Sequence, residues 1–211
     1  SDTAPLSHAG LTTYMPTTGG RDDIGPLPAW AVFYLLDPSQ ENHQTLFANA
    51  DAAGSVPWHV WDATTRGPIS IDAHPDVWLD GRGKAAPGVM DRKFYISDTN
   101  WEPDDAHQPS LTYLPYLLTG SQYYRDELAM QAGYDLLAMD PEYRHGREGF
   151  VLRSQVRAIA WDLRTISNAA FILPRGALQT YFQAKLENNL HDFVHRFVEN
   201  RELRGAGELE G

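Results

Sequence analysis

The stretch 101-WEPDDAHQPSLTYLPYLLTG-120 decides how the rest of the sequence is read. Trp101 opens it, adjacent carboxylates follow at Asp104 and Asp105, and then come His107 and Gln108. Pro109 suits the first turn of a helix, where its missing N–H costs nothing. Beyond it the chain is apolar at Leu111, Tyr113, Leu114, Tyr116, Leu117 and Leu118. This predicts a helix over about 107–118 that is apolar on nearly every side, and such a helix must be enclosed by protein. Its N-terminal mouth carries the polar and aromatic groups. Mouths of this kind favour ligands, because free N–H groups and the helix dipole face the same way.

Downstream, Thr119-Gly120-Ser121 reads as a tight turn. Tyr123, Tyr124, Leu128, Ala132 and Leu136 then mark one stripe of an amphipathic helix that stops near Asp140-Pro141. The loop EYRHGREG leads into a second enclosed helix over Phe150–Leu173, apolar at Val156, Ile159, Trp161, Leu163, Ile166, Ala169 and Phe171. Pro174-Arg175-Gly176 turns the chain into a last helix over about 177–199. There Leu178, Phe182, Leu186, Leu190, Phe193 and Phe197 form a stripe, with Lys185, Glu187, Asp192 and Arg196 opposite.

Upstream, residues 1–26 read as irregular, with TTGGRDDIGP supplying turn chemistry. A helix follows from about Leu27 to Leu36, stopped by Asp37-Pro38, and Ser39 caps a second one that Gly54 ends. From Val56 to Asn100 periodicity fails, and only Pro68–Asp72 and Lys93–Ser97 alternate enough for small strands. A segment this long without pattern, rich in Trp and His, reads as functional. The tail from Arg201 is rich in Glu and Gly and reads as flexible.

The chain of 211 residues is long enough for one sizeable core, taken as a single helical-hairpin domain over 1–200 with a tail at 201–211. Net charge of −11 argues against a broad nucleic-acid footprint. No apolar run approaches the ~20 residues of a bilayer span, so no membrane partner is expected. The absence of cysteine excludes disulfides and thiolate metal sites. A first residue of Ser instead of Met suits a processed chain or a piece of a longer one.

Enclosed helices therefore alternate with one-sided ones across short turns, which makes antiparallel hairpins in two layers. With DDAHQPSLTYLPYLLTG opening one hairpin and RAIAWDLRTISNAAFILP forming the next inner helix, this arrangement resembles the six-hairpin, (α/α)6-toroid glycosidase superfamily over roughly residues 20–200. The resemblance implies a mainly α fold with minor strand, equivalent to about half a ring. It implies a carbohydrate-active hydrolase or lyase without a cofactor, its site in the bowl formed by the inner-helix loops. Half a ring leaves apolar flanks, so another subunit or the remainder of the same chain is expected to cover them.

Candidate chemistry lies in those loops. Asp23 and Asp105 are the carboxylates that hydrolysis would need, while elimination would use Tyr113 or His107 as base. Arg21 and Arg157 are candidates to neutralise a substrate carboxylate. Trp58, Trp101 and Trp161 offer flat faces for sugar C–H groups, and His59 and Gln108 offer hydrogen bonds. His59, His74, Asp72 and His107 gather as metal ligands only if the fold brings them together, since no spacing demands it, and no metal is expected. His191 and His195 are four apart on a helix but lack the protease pattern. Two further readings stay open: a non-catalytic carbohydrate-binding or assembly module, and a structural fragment.

Overall fold

Pro115 sets where the central helix begins. Proline is tolerated among the first four residues of a helix, whose N–H groups have no partner, but one turn further in its ring strikes a carbonyl. In the computed structural model, which describes residues 8–17, 19–79, 101–152 and 154–199, the helix runs over Tyr113–Thr119 with Pro115 as its third residue. The expected start near 107 is therefore corrected. Residues Asp105–His107 form a short 3-10 turn instead, and 108–112 are irregular.

The described residues are mainly helical. Helix α1 is Ala29–Leu36 and α2 is Gln40–Asp51, the latter capped by the Ser39 side chain accepting from Asn42 N–H. Tyr113–Thr119 is α3, Gln122–Ala138 is α4, Val156–Ile172 is α5 and Ala177–Val194 is α6. A two-stranded antiparallel ribbon pairs β1 (Trp61–Asp62) with β2 (Gly67–Pro68). The Lys93–Ser97 strand, Arg153 and the tail from Arg201 lie outside the described residues. No helix among the described residues is long and apolar enough to cross a membrane.

Gly120, left-handed at φ 65°, closes α3 and turns the chain into α4; Leu173–Gly176 turn it from α5 into α6. These are helical hairpins, but their faces differ from the sequence reading. The helix expected to be enclosed, α3, leaves Leu117 and Leu118 exposed, and α5 leaves Val156 and Phe171 exposed. The helix expected to be one-sided, α4, is buried almost all round, from Tyr124 to Leu137 except for Arg125 and Asp126. It separates two apolar clusters: Leu128, Ala132 and Leu136 meet Ile166, Ala169 and Phe182 on one side, while Met130 and Tyr134 meet Met15, Trp58 and Leu111 on the other. Pro68 rests on its backbone at Gly133, where a Cβ would come within 2.6 Å of the proline Cβ.

Helix α6 is corrected in the same way. Phe182 is buried, but Leu190, Phe193 and Phe197 are exposed, and Lys185, expected in water, is buried. Its ammonium pairs with Asp72 and donates to the Arg147 carbonyl. One turn on, Asn189 accepts from Val151 N–H at 2.8 Å and donates to the Gly149 carbonyl at 2.8 Å. The polar face of α6 thus holds a loop instead of facing solvent.

Arg144 belongs to that loop and is fully buried. Its guanidinium donates to the carbonyls of Gly146, Leu136, Met139, Pro75 and Val77. Burial pulls its pKa down to about 10, which still leaves it charged at neutral pH. It ties the end of α4 to the irregular segment at 75–77.

Candidate functional site

The turn at 104–108 carries the densest group of titratable side chains among those described. Asp104 caps it, accepting from Ala106 N–H at 3.4 Å, and its other carboxylate oxygen meets His107 Nδ1. A carboxylate on Nδ1 makes that nitrogen the N–H donor and leaves Nε2 as the basic one. Asp105 lies against the Asp104 carboxyl, and its Oδ2 accepts from Ser154 Oγ at 3.3 Å. Burial, reinforced by the neighbouring Asp104 carboxylate, pushes Asp105 up to about 6.

Gln108 extends the group inward. Its amide nitrogen donates to Asp135 Oδ1 at 2.6 Å and Asp162 Oδ1 at 3.0 Å, and its amide oxygen accepts from Gln131 at 2.6 Å. Asp135 on α4 and Asp162 on α5 are fully buried. Burial drives both pKa values well above the carboxylate range, with mutual repulsion adding to it at Asp162 and the nearby Arg164 opposing it at both. Arg164 also donates to the Gln108 and Gly25 carbonyls. Replacing Gln108 by Leu should lower stability by about 3 kcal/mol, because it strips hydrogen bonds from two buried carboxyls and from Gln131. A urea unfolding midpoint unchanged by Gln108→Leu would contradict this account.

The N-terminal segment closes over the turn. Arg21 pairs with Asp23 at 2.9 Å, and it donates to the carbonyls of Met15 at 3.0 Å and His107 at 3.1 Å. Every part of its fork is committed within the protein. Arg157 on α5 lies across Gly19, so closely that a Cβ there would fall 1.0 Å from Nη1; only glycine fits. Arg157 makes no hydrogen bond or ion pair with other described residues.

The structure therefore brings Arg21, Asp23, Asp105, His107 and Gln108 together, with Arg157 against the same N-terminal segment. Trp161 lies one turn along α5 from Arg157, its ring 5.1 Å from the Arg164 guanidinium. Other candidates go elsewhere. Trp58 is 1% exposed and belongs to the core, with Trp101 packed at the edge of the same cluster. Tyr113 packs against the main core. His59 pairs with Glu127 at 2.7 Å, about 12 Å along α4 from Asp135 at 1.5 Å per residue. Asp72 is taken by Lys185, and His191 on α6 and His195 just beyond its end are exposed. Among the described residues no group of three or more His, Asp or Glu side chains is placed to hold a metal ion.

Asp135, Asp162, Gln131 and Ser154 were not among the candidates. Gln131 and Asp135 belong to a polar stripe with Glu127, four residues apart on α4, while Asp162 and Ser154 carry no such spacing. Comparison of the chain with protein-family models, with curated proteins and with solved structures gives no match.

Proposed function

We propose that the chain carries the acid–base site of a carbohydrate-active enzyme that cleaves acidic polysaccharide by elimination. The reading is supported above all by one juxtaposition: a carboxyl shifted to about 6 at Asp105 shares one 3-10 turn with an imidazole that Asp104 orients through Nδ1. In the reaction His107 Nε2 removes the proton α to the uronate carboxylate, the bond from the β carbon to the glycosidic oxygen breaks, and Asp105 gives its proton to the departing oxygen. A carbon–carbon double bond remains in the product. Arg157, without a hydrogen-bond or ion-pair partner among the described residues, takes the substrate carboxylate and stabilises the developing enolate charge. Gln108 and Arg21 act by holding the turn.

This reading keeps the (α/α)6-toroid resemblance as its frame. The apolar residues left exposed on α1 (Phe33, Leu35, Leu36) and at the end of α6 (Phe193, Val194) suit a fold whose flanks are covered by another subunit or by more of the same chain. Hydrolysis is the second reading, favoured by the same raised carboxyl at Asp105 and by Asp23, which Arg21 ties to this turn. The test is incubation with a panel of uronate polymers and neutral glycans, products identified by mass spectrometry and ultraviolet absorbance. Unsaturated uronates are expected. Saturated products carrying one added water would replace elimination by hydrolysis, and no product from any glycan would leave a binding module.

A further inference from the structure

A cavity lies at the other end of the hairpins, away from the turn at 104–108. Its volume is about 430 Å³, within the range of small-ligand pockets. The first turns of α4 (Gln122, Arg125), the α5–α6 turn (Arg175) and the ribbon (Trp61, Arg66) line it. Helix α5 has 17 residues, so about 25 Å separates the Ser154 end, where Asp105 sits, from the Leu173 end at this cavity. The two places cannot share one sugar ring.

The cavity is cationic in a chain of net charge −11. Three arginines stand against a single lining carboxylate, Asp126, which takes Arg125 at 2.7 Å. Arg66 and Arg175 have no ion-pair or hydrogen-bond partner of their own side chains among the described residues, and both are exposed. Long cationic side chains that nothing restrains would ordinarily diverge into water. At Arg66 the backbone sets the direction. Asp62 builds the ribbon's turn by accepting from Thr64 N–H and Oγ1, and Arg66 N–H returns to the Asp62 carbonyl at 2.8 Å. Arg66 itself holds φ 56°, a conformation uncommon outside glycine and asparagine. That turn sets Trp61, 47% exposed, and Arg66 on the same wall.

We propose that this cavity is a second, non-catalytic binding site for a carboxylated sugar, Trp61 taking a pyranose face and Arg66 and Arg175 taking the carboxylate. A flat indole suits the C–H face of a ring, and a guanidinium fork matches a carboxylate bidentately. The assignment to a carboxylated sugar rests on the elimination reading of the distant site; the aromatic and cationic geometry stands without it. Bound here, an acidic chain is held to the protein independently of the residues that would cleave it.

The test uses the full chain carrying Asp105→Asn, so that the probe is not consumed, titrated with a galacturonate oligomer by calorimetry. The neutral galactose oligomer and a sulfated galactose oligomer serve as controls. Two uronate sites are expected. Arg66→Asn with Arg175→Gln should abolish one of them, weakening it at least tenfold, while Asn at 66 retains the left-handed turn. Arg157→Gln should weaken only the other. The same loss should follow from Trp61→Ala, read through circular dichroism to establish that the ribbon variants stay folded. Unchanged uronate binding in the Arg66/Arg175 double variant overturns the proposal, as does equal binding of the neutral oligomer or preference for the sulfated one. Absence of unsaturated products together with retained uronate binding at the arginine cavity counts against the elimination reading alone.

Discussion

On the elimination proposed above, Asp105→Asn should reduce activity on the order of a thousandfold, the usual scale for loss of a positioned proton donor, and whatever the reaction it should change how stability responds to pH. Burial and Asp104 raise the Asp105 pKa from 3.8 to about 6. Between those values the folded state keeps a proton that the unfolded state has released. Stability therefore falls as pH rises through this window, is fully retained below about 4 and levels off above about 6. A shift of this size corresponds to a few kcal/mol, on the order of 3 at 1.4 per pH unit. Asparagine has no proton to lose, so relative to the parent the variant should gain stability at pH 7 over pH 4. Urea unfolding at both pH values measures this. Equal effects at pH 4 and pH 7 would mean that Asp105 is solvated, and its place as proton donor would go with it.

Arg144→Met should be the most damaging single substitution outside the site, lowering stability by about 4–5 kcal/mol. The side chain fits the volume, but the carbonyls of Leu136, Met139, Pro75 and Val77 lose their donor in a region without solvent. Lysine is expected to recover only part of the loss, since one ammonium cannot reach the spread of carbonyls that a planar fork serves. Equilibrium unfolding in urea gives both values. A cost under about 1 kcal/mol for Met would show that water replaces the guanidinium.

Much of the helical order is legible in the sequence because its markers are local. Ser39, Gly120 and Pro174 act on their own turn of chain, and the structure has helix ends at each of them. Pro115 was equally legible as a limit on where α3 begins. What the sequence conceals is which polar faces meet water. Glu127, Gln131 and Asp135 have the spacing of a solvated stripe, yet all three are buried and hydrogen-bonded to residues distant in the chain. Lys185 and Asn189 repeat this on α6. A hydrophobic pattern separates apolar from polar, and only the partner, supplied from elsewhere in the chain, separates wet from buried. The turn at Asp104–Gln108 stood out for its own chemistry; Asp135 and Asp162, its inner partners, are ordinary helix residues until the fold sets them around Gln108.

An apolar seam between two helices tolerates sliding, because one methyl group fills a gap nearly as well as another. The Gln108 amide does not. Its nitrogen end faces one carboxyl on α4 and one on α5, and its oxygen end accepts from the Gln131 amide nitrogen, so reversing the amide would set N–H against N–H. Moving either helix by a single residue would rotate its carboxyl about 100° away from the amide. The buried amide therefore acts as a key with one fitting position, fixing the register in which α4 and α5 dock and, through it, the place where the turn at 104–107 must lie.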